Sequence, residues 1–369
     1  MPEQLGKIDE TQIDEIGKIN PVGAEVPQPI DLTVEENTQL TSLLEQAKQA
    51  EKTGKYEIAA SSYEEYRDSY KQIRREKISG ELKEKLNLQE QYESQIQILR
   101  EAGVIQELTK TTEGIIDING VAHLAPSLED VLDKFTPEKV KNLKEKISQG
   151  FKKLLIVPLG MSINELKDLY IKFLVKKNDE GKFISPDGSR LEINDSKPPY
   201  EFTLDDSDRA EDKGKLLYFP RHFKRTEHDD GVTKRELIKQ GQTWRLELIE
   251  DSPILPDDKD IKILGGRKQI PAGLSPEDYL KLIQESEEYR GEKGFTLEDW
   301  LTYAITNLAE GRGQIDDNDS GHGCWLIGSR YYMAVPFAVW DKEKKQGCIA
   351  AYHANDISYV HSTRTSVEL

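Results

Sequence analysis

Two histidines and two cysteines lie close enough in the chain to suggest a metal site: His322, Cys324, Cys348 and His353. Zinc takes four ligands of these types in structural sites and three in catalytic sites. The spacing is unfavourable, because His-x-Cys and Cys-x4-His replace the usual Cys-x2-Cys pair. We therefore expect no metal and no cofactor. We interpret the cysteines as small buried side chains on neighbouring strands, with a disulfide between them as an alternative.

A calcium loop is also incomplete. Asp316, Asn318, Ser320 and Gly321 follow the spacing that opens an EF-hand, but the twelfth position is Ile327, where a bidentate glutamate is needed. Calcium is therefore poorly supported.

The sequence also shows no clear pattern of residues for nucleophilic catalysis. The nearest pair, His322 and Cys324, has no identifiable orienting residue or oxyanion site. We expect a protein that is not an enzyme. The enzymatic alternative is a metal-assisted hydrolase that uses these two residues together with His353.

Two helices and three strands must position these residues. Thr296 precedes an apolar helical stripe that contains Trp300, and Ser275 begins an earlier helix with similar capping residues. The runs 324–327, 335–340 and 347–352 are short, apolar and bounded by turn residues, as strands are. We predict that both helices pack on one sheet that contains 244–249, 324–327 and 335–339, with Trp300 and Trp325 buried.

Side chains suited to recognition crowd the segments between and after these strands. Tyrosine offers rigid contact area at low entropic cost, and Asn and Ser offer adaptable hydrogen bonds. We predict one exposed ligand-binding patch supported from beneath by Trp325, Phe337 and Trp340; a frayed polar terminus is the alternative. The predicted patch consists of Arg330, Tyr331, Tyr332, Tyr352, His353, Asn355, Asp356, Tyr359 and His361.

A family resemblance rests on the order of these elements. After helices at Ser275 and Leu297 come the runs CWLIG (324–328) and VPFAVWD (335–341) and the ending TRTSVEL (363–369). This order resembles the C-type-lectin-fold variable proteins of diversity-generating retroelements, and bacterial proteins of unassigned chemistry that share the ending. The likeness covers roughly the last two-fifths of the chain.

The resemblance implies a C-type-lectin-like domain whose C-terminal segment is rewritten by adenine-directed mutagenesis. Target codons, mostly for Asn, then become codons for residues such as Tyr, His, Asp, Ser, Thr and Ile, and the C-terminal tail of this chain is rich in the same residue types. The usual sugar-binding signatures Glu-Pro-Asn and Trp-Asn-Asp are absent. One departure concerns the family's Gly-x-Arg, which is Ser362-Thr363-Arg364 here and leaves the register of the final strand open.

Composition narrows the possible partners. The chain has 369 residues and a formal net charge of −17, which argues against nucleic acid and anionic membranes as partners. No apolar run is long enough to insert in a membrane, and the first residues do not read as a signal peptide. We expect a cytoplasmic protein, with export by another route left open. The expected partner is an unidentified protein or surface ligand.

The fold class that we predict is α+β, in five segments. A helical hairpin or coiled-coil stalk offers a route to homo-oligomers, and a peptide-binding groove is its alternative. The predicted segments are a mobile acidic leader (1–33), the stalk (34–112), a small α/β module (113–177), a loop-rich connection (178–215) and a C-type-lectin-like ligand-binding domain (216–369). The predicted function is non-enzymatic ligand recognition, with a hydrolase or a structural scaffold as alternatives.

Overall fold

The computed structural model describes residues 33–135, 137–204, 214–223, 230–252, 254–256, 261–317 and 322–369, with backbone alone for 74–85, 137, 138 and 141. These residues form a mixed α+β protein, as the sequence predicts. The chain divides into two compact units. One contains residues up to 87 together with 129–142, and the other contains 88–128 and 143–369. The predicted leader, 1–33, lies outside the described residues except for Thr33.

A helical hairpin forms the first of these units. Helices α1 (Val34–Lys52) and α2 (Tyr56–Leu86) are joined by a short turn. Thr33 and Glu36 cap α1 reciprocally, which satisfies amides that would otherwise lack partners. The hairpin agrees with the sequence prediction. The buried cluster of this hairpin consists of Leu40, Leu44, Tyr66, Tyr70 and Ile73.

The next helix begins later than predicted. The sequence suggests a separate helix from Gly80, but α2 continues through this glycine to Leu86. The chain then turns at Asn87, whose φ of 47° lies in the left-handed region that Asn tolerates better than most residues. Helix α3 (Leu88–Glu101) follows and belongs to the second unit, so the stalk does not extend to 112.

The remaining helices and the strands follow in chain order. The helices are α4 (Leu128–Asp133), α5 (Pro137–Ser148), α6 (Ile163–Asp179), α7 (Lys234–Lys239), α8 (Pro276–Glu285) and α9 (Leu297–Ala309), with a 3-10 turn at Glu287–Tyr289. The strands are β1 (Gln106–Thr109), β2 (Thr112–Ile116), β3 (Ala122–Leu124), β4 (Phe151–Val157), β5 (Tyr200–Phe202), β6 (Leu216–Tyr218), β7 (Arg245–Glu250), β8 (Ile263–Leu264), β9 (Arg267–Lys268), β10 (Glu292–Gly294), β11 (Gly323–Trp325), β12 (Ser329–Tyr331), β13 (Ala334–Asp341), β14 (Gln346–His353), β15 (His361–Thr363) and β16 (Thr365–Glu368).

Two larger sheets organise the second unit. A four-stranded sheet has the order β10-β16-β7-β4. A seven-stranded sheet has the order β15-β11-β13-β12-β6, with β14 paired to β13 and β5 paired to β14. In a smaller sheet, β1-β2-β3, strands β2 and β3 form a hairpin with Asn119 and Gly120 in its turn. Among the described residues, no helix combines the length and the apolar character needed to cross a membrane.

The prediction of one sheet beneath the two helices is wrong. Strand β7 belongs to the four-stranded sheet, whereas β11 and β13 belong to the seven-stranded sheet. The physical reason is β16, which pairs with β7 on one side and with β10 on the other. Strand β4 also pairs with β7, so the predicted 113–177 module and the predicted 216–369 domain share a sheet.

Helix α9 lies at the centre of this unit. Thr296 and Asp299 form a reciprocal capping box at its start, as the sequence indicates. Almost every residue of α9 is buried, and these include the polar residues Glu298, Thr302 and Thr306. The predicted burial of Trp300 and Trp325 is confirmed, since neither is exposed to solvent.

Candidate ligand-binding surface

Strand β13 is the axis of the candidate site. Its odd-numbered residues, which include Val335 and Phe337, face one side of the sheet because side chains alternate along a strand. Trp325 pairs with Phe337 across β11, and Tyr352 pairs with Val335 across β14, so both lie on this same side. Tyr279 of α8 belongs to the same buried cluster, which shows that α8 covers part of this face.

Four rings form a row across neighbouring strands of this face. The centroids of His361 and Trp325 are 5.1 Å apart, those of Trp325 and Phe337 5.5 Å, and those of Phe337 and Tyr352 5.0 Å. Three of the rings are buried, whereas Tyr352 is 54% exposed. The row therefore begins in the core at His361 and reaches solvent at Tyr352.

His361 is a supporting residue within this row. Its Nδ1 lies 2.5 Å from the hydroxyl oxygen of Ser358, and within the described part of the chain its Nε2 has no hydrogen-bond partner. Burial, followed by the charge of nearby His322, lowers the pKa of His361 to about 4. The ring is therefore neutral near physiological pH, as an aromatic environment requires.

The loop 354–360 presents further apolar side chains beside Tyr352. Ile357, Tyr359 and Val360 are exposed, and Tyr359 reaches 79% exposure. Backbone bonds hold both ends of the loop: Glu277 N–H donates to Ala354 O at 3.0 Å, Gly323 N–H to Val360 O at 2.9 Å and Gly273 N–H to His361 O at 3.3 Å. Large side chains on an anchored loop are typical of an interaction surface.

Tyr332 occupies the turn between β12 and β13. Its φ of 53° is unusual for a bulky residue. Its amide donates to Lys215 O at 2.9 Å, and the Lys215 ammonium lies 5.3 Å from the centre of its ring. The side chain is nonetheless 48% exposed. Because Tyr331 pairs with Ala334 and Ala334 pairs with His353, this turn lies at the same end of the sheet as the end of β14.

Three predicted patch residues are not exposed, and the prediction is wrong for them. Arg330, Tyr331 and His361 are 0%, 7% and 8% exposed. Arg330 and Tyr331 lie in β12, which has a partner strand on each side, and His361 begins β15 beneath the loop. Arg330 donates from Nε to Tyr332 O at 2.7 Å, so it supports the turn from within.

The other six predicted residues are exposed: Tyr332, Tyr352, His353, Asn355, Asp356 and Tyr359. Ile357 and Val360 were missed, although two apolar residues in an otherwise polar segment are a signal that sequence reasoning can use.

The predicted support is correct for Trp325 and Phe337 and wrong for Trp340. Trp340 has the opposite parity on β13 and faces the other side of the sheet. There its ring lies 5.0 Å from Phe183 and 5.7 Å from Tyr200.

The two cysteines lie on opposite faces of the seven-stranded sheet. Cys324 pairs with Ala338 and Cys348 pairs with Val339, which are adjacent residues of β13 with opposite orientations. The strands that carry them flank β13 and are not neighbours, which corrects the expected pairing of strands. Both thiols are free, so the alternative of a disulfide is not observed.

The residues of the hydrolase alternative do not come together. Cys324 pairs with Ala338 and His353 pairs with Ala334. These two residues of β13 are about 13 Å apart along the strand, so Cys324 and His353 lie far from each other. The ligand atoms of a zinc ion lie roughly 2 Å from the metal. Within the described ranges, no group of three or more His, Cys, Asp or Glu side chains is arranged to hold a metal. Residues 318–321 of the incomplete calcium loop lie outside the described residues.

Comparisons with known proteins do not assign a family. The chain matches no protein-family model, no curated protein and no solved structure. The functional proposal therefore rests on the geometry of the candidate surface.

Proposed function

We propose that this protein recognises a ligand without transforming it, through the surface formed by Tyr332, Tyr352, His353, Asn355, Asp356 and Tyr359. The observation that carries this proposal is the environment of Tyr352. Its ring is half exposed, yet it stacks on buried Phe337 with an interplanar angle of 12°. An exposed aromatic ring that is already held in place loses little conformational entropy on binding.

A division of roles between positions supports the proposal. The buried residues of the row, Trp325, Phe337 and His361, maintain the fold, while exposed residues beside them remain available for contact. Binding energy usually concentrates in a few aromatic anchors surrounded by weaker contacts. Tyr352 and Tyr359 are the anchors that we propose.

The fold and the origin of the surface form a second part of the proposal. We propose a C-type-lectin-like arrangement of α8, α9 and the antiparallel strands β11, β13 and β14, with a surface diversified as in retroelement variable proteins. The order of these elements supports it. The gene neighbourhood is the test: we expect a reverse transcriptase gene and a near-identical template repeat that differs at adenines. A neighbourhood with neither would overturn the diversification.

Binding itself is tested by screening the protein against arrays of proteins and surface glycans. The double variant Tyr352→Ser with Tyr359→Ser should lose at least tenfold in affinity for any hit, because each anchor contributes above about 1 kcal/mol. Ile263→Ser is the matched control, since Ile263 is a large exposed apolar residue elsewhere in the same unit. Equal binding by the double variant and the control would refute this surface.

A further inference from the structure

Five charged side chains meet in the interior beside the start of α9. They are the carboxylates Glu247, Glu298 and Asp299 and the cations Lys234 and Arg245. All five are buried, four of them completely. Charges removed from water in this way are stable only when they are neutralised and hydrogen-bonded.

The two cations are shared among the three carboxylates. Arg245 contacts Glu247 through Nε and lies 2.5 Å from Asp299 Oδ2 through Nη2. Lys234 Nζ lies 2.8 Å from Glu298 Oε1. Each carboxylate therefore has one cationic neighbour, but Asp299 and Glu247 depend on the same guanidinium.

Each carboxylate also has at least one oxygen that lacks a hydrogen-bond partner within the described residues. These atoms are both oxygens of Glu247, Oε2 of Glu298 and Oδ1 of Asp299. A buried carboxylate oxygen without a donor is costly when the group is charged and much less so when the group carries a proton.

Among the described residues, the surrounding elements do not supply the missing positive charge. The titratable groups next to the cluster are Tyr218 on β6, which donates to Glu298 Oε1 at 2.7 Å, and Glu368 on β16. Glu368 is paired with Lys293, so that pair adds no net charge. Fully ionised, the five buried groups would carry one uncompensated negative charge.

We infer that this cluster is a proton-binding site and that Asp299 carries the proton in the folded protein. The proton removes the excess charge and lowers the cost of burying Oδ1 without a hydrogen-bond donor. Like charges that share one site cannot all ionise at ordinary cost.

The electrostatics of Asp299 agree with this geometry. Burial raises the pKa of Asp299, and the charges of Glu247 and Glu298 raise it further, whereas the charge of Arg245 lowers it. The resulting pKa is about 7. Hydrogen bonds also connect the site to neighbouring elements. Asp299 Oδ2 accepts from Thr296 N–H at 2.6 Å, and Leu297 N–H donates to Ser329 Oγ at 3.2 Å, which links the start of α9 to β12.

The sign of the effect on stability follows from linkage. The folded protein holds the proton up to about pH 7, whereas an unfolded aspartate releases it near its ordinary pKa of about 3.9. The stabilisation is therefore complete below the ordinary pKa and is lost as the pH rises towards 7. The equilibrium constant for folding should lose about tenfold per pH unit within that window and level off above it.

The experiment compares wild-type protein with Asp299→Asn by urea unfolding between pH 5 and 9. Fluorescence follows the second unit alone, because all four tryptophans lie there. We expect the ratio of the two folding constants to change about tenfold per pH unit up to 7 and to stay constant above. Asp278→Asn is the matched control, since Asp278 has the same capping position in α8 and is exposed.

A direct titration keeps the inference testable if Asp299→Asn does not fold. Carbon NMR of wild-type protein labelled at aspartate carboxyls should show one midpoint near 7, which moves down in Glu247→Gln because a like charge is removed. A titration with every aspartate midpoint below about 5 would overturn the inference. Stability that depends on potassium or sodium concentration at constant ionic strength would also overturn it, because a metal cation would then fill the role of the proton.

Discussion

The ring of Tyr352 lies 5.0 Å from that of Phe337, nearly parallel to it, although one is half exposed and the other is buried. In this pair, Tyr352 is the proposed contact residue and Phe337 is the residue that supports it. Mutations at the two positions should therefore have different effects.

Replacing the two partners should show this separation. Phe337→Ala should lower the free energy of unfolding by about 3 to 5 kcal/mol, because it leaves a cavity in the core. Tyr352→Ser should cost only about 1 kcal/mol, chiefly the lost ring stacking. Urea unfolding measures both values. Equal costs would show that Tyr352 is part of the core.

Two other tyrosines form a second contrast. Tyr331 is buried in β12, and Tyr359 is the most exposed tyrosine of the surface. Tyr331→Ser should destabilise by about 3 kcal/mol, as large-to-small changes in a core do. Tyr359→Ser should stay within about 0.5 kcal/mol of wild type. A calorimetric comparison of the two variants is sufficient, and a costly Tyr359→Ser would argue against a free loop surface.

Trp300 should be one of the costliest positions in the chain. Its ring packs on Tyr170 at 5.7 Å, and its Nε1 donates to Asp316 Oδ2 at 2.7 Å. Trp300→Ala should cost about 3 to 5 kcal/mol through the cavity alone. The loss of a donor to a buried carboxylate adds to this. Trp244→Ala, at a partly buried site, is the comparison, and chemical denaturation of both variants gives the difference.

His361 should make the fold sensitive to acid. Its pKa of about 4 in the folded state is below the ordinary value of 6.5, so the unfolded chain takes up the proton first as the pH falls. The stabilisation is full above 6.5 and is lost, about tenfold in the folding constant per pH unit, as the pH falls towards 4. The ratio of the folding constants of wild type and His361→Phe, measured as a function of pH, reports this loss directly. His353→Gln, at an exposed histidine, is the comparison variant.

The opposite slopes of Asp299 and His361 overlap between about pH 4 and 6.5. These two contributions to stability should therefore largely cancel there, while the single variants reveal each of them.

The cysteines should react differently with thiol reagents. Cys324 is fully buried, and burial raises its pKa, whereas Cys348 is partly exposed. A maleimide reagent should modify one thiol per native chain and two in urea. Cys348→Ser should abolish the native reaction. A native protein with no reactive thiol, together with two after reduction, would show a disulfide that the strand positions do not permit.

Local signals made part of this structure predictable from sequence. Capping residues at Ser275 and Thr296 specify where α8 and α9 begin, because they satisfy amides within the same turn. Apolar runs bounded by turns located β11, β13 and β14 in the same way. Strand pairing was not predictable, because it joins residues far apart in the chain.

The tail shows where residue type misleads. Thr365 and Arg364 are polar but buried, since Thr365 donates to Glu292 Oε2 at 2.6 Å and Arg364 Nη2 lies 2.6 Å from Asp316 Oδ1. Arg330 is buried for a comparable reason. A single sequence does not reveal the partners that make such burial possible, so Arg330 was assigned to the exposed patch.

The position of β16 has a consequence for the order in which the chain folds. Strand β7 precedes this partner by more than a hundred residues, and among the described strands β10 pairs with β16 alone. Until residues 365–368 pair with these strands, one edge of β7 stays open and β10 is not part of the sheet. Contacts so distant in sequence slow folding, and open strand edges invite association with other chains. The second unit is therefore expected to complete its core late, with the closing of β16 as one cooperative step.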